Sequence, residues 1–115
     1  MQTIEDFMRR AQPMERGAEL FLTDELTITN EQFKMLKRGH IAETMDDKWC
    51  YIVKGKTLYA YRTCTGACVM AVDISPGKKR RKTLFGRYDK QYRFGVTGNN
   101  GYVIEKLRDF LSYQK

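Results

Sequence analysis

The chain has 115 residues, 21 of them Lys or Arg against 14 Asp or Glu, for a formal charge of +7. A 42% hydrophobic share with 12% aromatics excludes a disordered chain and predicts one folded domain spanning 1–115 around a single core. No apolar run approaches the roughly 20 residues of a membrane span, so no membrane partner is expected. The first sixteen residues lack the apolar stretch of a secretory signal, and three cysteines imply no disulfide framework, so the expected compartment is the cytoplasm.

In chain order, Thr3 and Asp6 are spaced as a capping box, and Ile4, Phe7 and Met8 follow at helical spacing, predicting a helix near 4–11. Leu20 and Leu22, then Leu26 and Ile28, alternate with polar neighbours as a broken strand or small hairpin. Thr29 and Gln32 form a second capping box ahead of a short helix with Phe33, Met35 and Leu36 inward and Gly39 as its stop. Trp49 to Val53 and Thr57 to Arg62 are the strongest strand signals, joined by a three-residue turn, Lys54-Gly55-Lys56. Alternation puts Trp49, Tyr51 and Val53 on one face and Cys50 and Ile52 on the other, with Leu58 and Ala60 opposed to Tyr59 and Tyr61.

Gly66 turns the chain into a third strand, Ala67 to Ile74, which leaves through Ser75-Pro76-Gly77. Two further short strands are expected at Thr83 to Tyr88 and Tyr92 to Val96. The last helix is predicted to start at Asn99 or Asn100, with Val103, Ile104, Leu107, Phe110 and Leu111 as its apolar stripe. The fold class is therefore α+β: an antiparallel sheet of about four to six short strands with N-terminal, central and C-terminal helices.

The positive charge is local. Residues 78–93 contain Lys78, Lys79, Arg80, Arg81, Lys82, Arg87, Lys90 and Arg93 against Asp89 alone, and the rest of the chain is balanced. Five consecutive cations leaving a Pro-Gly turn are expected to be solvated or paired with a polyanion. Tyr88 and Tyr92, interleaved with the downstream cations, would supply stacking platforms beside phosphate contacts. A solvated loop is the plain alternative.

A second cluster comes from the hairpin itself. Trp49 and Arg62 fall at the same end of paired strands, so Lys48, Arg62, Thr63 and Thr65 beside Gly66 would offer cations and hydroxyls to a phosphate, with Trp49 for stacking. The alternative is a surface salt-bridge group with Asp46 and Asp47. The residues Asp47-Lys48-Trp49, followed by Tyr61-Arg62-Thr63-Cys64-Thr65-Gly66, resemble a small, largely uncharacterised bacterial and phage domain in which a DKW motif precedes an aromatic-x-Arg-Ser-Trp-Thr-Gly motif. The chain departs from that pattern at Cys50, Thr63 and Cys64. The resemblance implies that Asp47, Lys48, Trp49, Arg62, Thr65 and Gly66 form one site.

Other features carry weaker chemistry. Thr97-Gly98-Asn99-Asn100-Gly101 precedes the expected last helix without matching a phosphate-loop fingerprint. His40, the single histidine, has no nucleophile tied to it, so no catalytic residue is assigned. Cys50, Cys64, Cys68 and His40 lack a zinc-site spacing, and Glu43, Asp46 and Asp47 read as a solvated loop, so no metal and no cofactor are expected. The favoured function is a non-enzymatic binding module for a nucleic acid or a small signalling nucleotide, in the style of a phage or mobile-element accessory protein. The alternative is an inhibitor or immunity-type module docking on an acidic protein partner. A small enzyme acting on a nucleotide through Glu43, Asp47, Lys48 and Arg62 ranks third, and homo-oligomerisation stays open.

Overall fold

The computed structural model describes residues 4–11, 18–21, 27–42, 44, 46–63, 66–78, 81–85 and 96–113. The elements are α1 (Ile4–Arg10), β1 (Ala18–Phe21), α2 (Asn30–Lys37), β2 (Trp49–Lys54), β3 (Thr57–Arg62), β4 (Cys68–Asp73), β5 (Lys82–Phe85) and α3 (Val96–Tyr113). The five strands form one antiparallel sheet in the order β1-β5-β4-β3-β2. This is the expected α+β class, and β2 to β5 make the expected meander. No helix among the described residues is long and apolar enough to cross a membrane.

The second capping box forms as its spacing requires. Gln32 N–H donates to Thr29 Oγ1 at 3.1 Å, and Thr29 N–H donates to Gln32 Oε1 at 2.9 Å. Two of the helix's orphan donors are thereby satisfied. Gly39, at φ +73°, ends the turn, and His40 then pairs with the outer edge of β2 through two 2.9 Å bonds with the Tyr51 backbone. The hairpin between β2 and β3 is tighter than expected. Lys54 pairs with Thr57, which leaves a two-residue loop, Gly55-Lys56, and Gly55 supplies the positive φ of +62° that such loops need.

Alternation sorts the sheet into two faces. Trp49, Tyr51, Leu58, Ala60, Met70 and Val72 are buried on the first, with Leu36 of α2 and Val103, Leu107 and Phe110 of α3. Cys50, Ile52, Tyr61 and Cys68 are buried on the second, with Phe7 of α1 and Ala42. The Phe7 and Tyr61 rings meet edge to face, with centroids 5.3 Å apart. The first face also fixes α3 at its end: the Tyr51 hydroxyl donates to Phe110 O at 3.3 Å, and the two rings stack at 4.6 Å.

Several expectations are corrected. Ile28 is buried in the core but lies in the lead-in to α2, outside any strand. α3 begins at Val96, so Val96 is helical rather than the end of a strand, and Thr97 to Gly101 lie inside the helix rather than before it. The cost of Gly98 and Gly101 in a helix is about 1 kcal/mol each. Burial of Val103, Leu107 and Phe110 in the same helix outweighs that cost. β5 starts one residue before the predicted Thr83 to Tyr88 strand and takes Thr83 to Phe85 of it. The first capping residue Thr3, the remainder of that strand, and the Tyr92 to Gly95 part of the next lie outside the described residues.

Candidate functional site

The basic run divides as soon as it folds. Arg81 is wholly buried, and its guanidinium donates to three backbone carbonyls: Asp73 O at 2.8 Å, Lys78 O at 2.6 Å and Ser75 O at 3.1 Å. This corrects the reading of all five cations as solvated phosphate contacts. Arg81 is a plug that gathers the inward carbonyls of the turn between β4 and β5. Burial lowers its ionisation below the ordinary arginine value, against an opposing pull from the Asp73 charge.

Asp73 organises the same turn from outside. Its Oδ2 accepts from Lys78 Nζ at 2.6 Å, and its Oδ1 accepts from the Ser75 backbone N–H at 2.9 Å and the Ser75 hydroxyl at 2.6 Å. Burial alone would raise this carboxyl, but the bonds from Lys78 and Ser75 outweigh it and bring it down to about 2. Lys78 is therefore held at a fixed place and Lys82 is exposed. Lys79, Arg80, Arg87, Tyr88, Lys90, Tyr92 and Arg93 lie outside the described residues.

The topology adds cations that sequence reading did not connect with this segment. In an antiparallel meander the first and third turns fall at the same end, so the Lys54-Gly55-Lys56 hairpin stands beside the turn after β4. Ile74 N–H donates to Lys56 O at 2.9 Å and joins the two. Lys54 and Lys56 are exposed, and among the described residues neither forms an ion pair. Their signal was available in the sequence as hairpin parity.

Beneath these turns lies a concavity of about 440 Å³ on the second sheet face, lined by Thr57, Tyr59, Ala71, Asp73, Lys78, Lys82 and Leu84. Among the described residues Phe7 of α1 is buried with Cys50, Ile52, Tyr61 and Cys68 of that face, and Tyr59 stands at the edge of this cluster. The Thr57–Tyr59–Asp73 end presents a half-buried phenol, a hydroxyl and an apolar strip under a cationic rim. Such a surface can hold an anion at the rim and a flat group on the floor.

The second predicted cluster sits at the opposite end of the sheet. Trp49 and Arg62 are direct register partners, and Thr63 N–H donates to Lys48 O at 3.0 Å. Trp49 is only 5% exposed, with the Arg62 guanidinium 5.0 Å and the Lys106 ammonium 5.7 Å from its ring centroid. This corrects its assignment as a stacking platform, since a ring so enclosed offers no face to a base. Lys106, which the sequence reading left out, is also 3.5 Å from Asp109. Lys48 is exposed and Thr65 lies outside the described residues. Asp47, assigned to this cluster by resemblance, accepts from the Trp49 backbone N–H through Oδ1 at 3.4 Å and from His40 Nε2 through Oδ2. The His40 ring packs 4.7 Å from Tyr113, whose phenol is raised by burial and then by Asp47 and Asp109. His40 is thus committed to a structural contact between the β2 edge and the end of α3.

Protein-family models, curated proteins and solved structures give no match to this chain. The reading of the site rests on its own geometry.

Proposed function

We propose that the chain is a binding module that takes an anionic, phosphate-bearing ligand on the Thr57–Tyr59–Asp73 end of its second sheet face. The observation that carries this reading is the coincidence of two lysine-bearing turns, Lys54 to Lys56 and Lys78 to Lys82, at one end of the sheet above Tyr59. Cations brought together by topology repel one another, and a ligand that neutralises them relieves that repulsion. The first phosphate contacts are assigned to Lys54, Lys56 and Lys82, Lys78 being paired with Asp73. Arg81 is excluded because it is buried and bonded to three backbone carbonyls.

The test is retention on heparin and the anisotropy of labelled polyanions at low and rising salt. Binding should fall steeply with salt, and the double charge reversal Lys54→Glu with Lys82→Glu should abolish it while circular dichroism stays unchanged. A stable complex with an acidic protein that survives nuclease treatment, without salt-sensitive binding of phosphate polymers, would replace this reading by the protein-docking alternative.

A further inference from the structure

The chemistry of the face selects among phosphate ligands. Lys54 of β2 is the register partner of Thr57 in β3, and Thr57 is the partner of Asp73 in β4. Val72 pairs with Thr83, so Lys82 in β5 stands beside Asp73. Lys54, Thr57, Asp73 and Lys82 therefore form one row that crosses the strands at right angles. Neighbouring strands are about 4.8 Å apart, which puts the backbones of Lys54 and Lys82 roughly 14 Å from each other. The middle of the row is neutral, because Lys78 and Asp73 are paired there.

That pattern of cation, neutral centre and cation opposes a compact polyphosphate. A ligand with all its charge at one point would either miss one lysine or press against the Asp73 carboxylate. A chain with charges at intervals and uncharged sugar between them meets both lysines and passes over the centre. The next row inward holds Tyr59, Ala71 and Leu84 on the same face. A tyrosine ring beside an alanine, in an apolar strip one row from the cations, is positioned for a base to stack on it.

We infer that the ligand is a single-stranded nucleic acid, lying along the Lys54–Lys82 row across the strands, with one base stacked on Tyr59. This rests on the reading of the face as an anion site. Bases locked in a duplex cannot reach the tyrosine, and a mononucleotide cannot span the row. Backbone contacts and a single aromatic platform read no base edge, so binding is tolerant of sequence.

The experiment is fluorescence anisotropy on the full chain with labelled thymidine oligomers from one nucleotide to about twelve. A duplex of the longest length and an inorganic polyphosphate are run beside them. Affinity should climb over the first few nucleotides and then level off, with thymidine monophosphate at least about 100-fold weaker than the plateau. The duplex should bind more weakly than the single strand. Lys54→Ser and Lys82→Ser should each lower the salt slope by about 0.7, the release expected for one phosphate of a single strand. Tyr59→Ala should cost roughly tenfold in affinity, and Tyr59→Phe should retain it. The length series and the duplex comparison need only the wild-type chain, so a poorly folding variant leaves the test intact. Affinity independent of length, or equal for duplex and single strand, overturns the inference. If polyphosphate or heparin binds and oligomers show no preference, the anion site stands and the single-strand assignment falls. If no polyanion binds at all, both fall.

Discussion

Tyr61 and Tyr59 lie two residues apart on β3 and face the same side of the sheet, Tyr61 inside the apolar cluster with Phe7 and Tyr59 at its edge. Tyr61 is buried under Phe7 between Cys50 and Cys68. Burial pushes its phenol up to about 12 and the Cys68 thiol up to about 11. Tyr59 is half-buried on a strip that leads to Asp73, Lys78 and Lys82. One half of the face is used for cohesion through α1, and the other half is left with polar and charged groups that contribute little cohesion. Among the described residues, one strand pattern thus places one tyrosine in a core and the next at that core's edge.

The comparison can be broken most severely from the covered side. Phe7→Ala removes a fully buried ring and should destabilise the fold by about 3 kcal/mol in urea titration, with the Thr57–Asp73 end of the face losing order only as the whole domain unfolds. On the other side, Arg81→Ala should cost on the order of 3 kcal/mol, because three carbonyls lose their donor at about 1 kcal/mol each. Lys82→Ala, one residue away, should stay within about 0.5 kcal/mol in the same assay. Equal costs for the two would mean that the run is uniformly solvated after all.

Smaller effects sharpen the contrast. In an alkaline difference-absorbance titration one phenol should ionise only near pH 12, and Tyr61→Phe should delete that phase. Tyr59→Ala should lower stability by about 1 kcal/mol while leaving that phase in place. The acid-dependent effect belongs to Asp73. Its folded-state ionisation near 2 lies below the ordinary 3.8, so its contribution is present above about pH 4 and lost as pH falls through 2. Solvent screening limits this to about 1 kcal/mol, and Asp73→Asn should flatten the acid limb of the stability curve by that amount.

The sequence made some of this legible for definite reasons. Thr29 and Gln32 announce α2 because a reciprocal cap needs only local spacing. The faces of β2 and β3 follow from strict alternation in a β-branched and aromatic run, and Trp49 and Arg62 emerge as partners once the hairpin is placed. Arg81 was hidden because five adjacent cations carry no internal pattern. Parity counted backward from Thr83, also buried, would have turned it inward. Lys54 and Lys56 were read as a turn but not as part of a site, because their proximity to Lys78 depends on sheet order rather than on sequence distance. The start of α3 was missed because Gly98, Asn99, Asn100 and Gly101 disfavour a helix locally, and packing further along the helix decides the matter.

The irregularity in β4 has a further consequence. Tyr61 pairs with Cys68 while Ala60 pairs with Met70, so Val69 is one residue more than β3 can match. Cys68 and Met70 share a parity in sequence and yet contribute to opposite faces, Cys68 under α1 and Met70 under α3. Val69 acts as a phase shift in the reading frame of the sheet. Side-chain replacements along β4 change packing by degrees, but deleting one residue there would exchange inside for outside from that point on. Over generations the strand should therefore accept substitutions and reject single-codon losses, and a deep mutational library that includes deletions would display that asymmetry at residues 68–73.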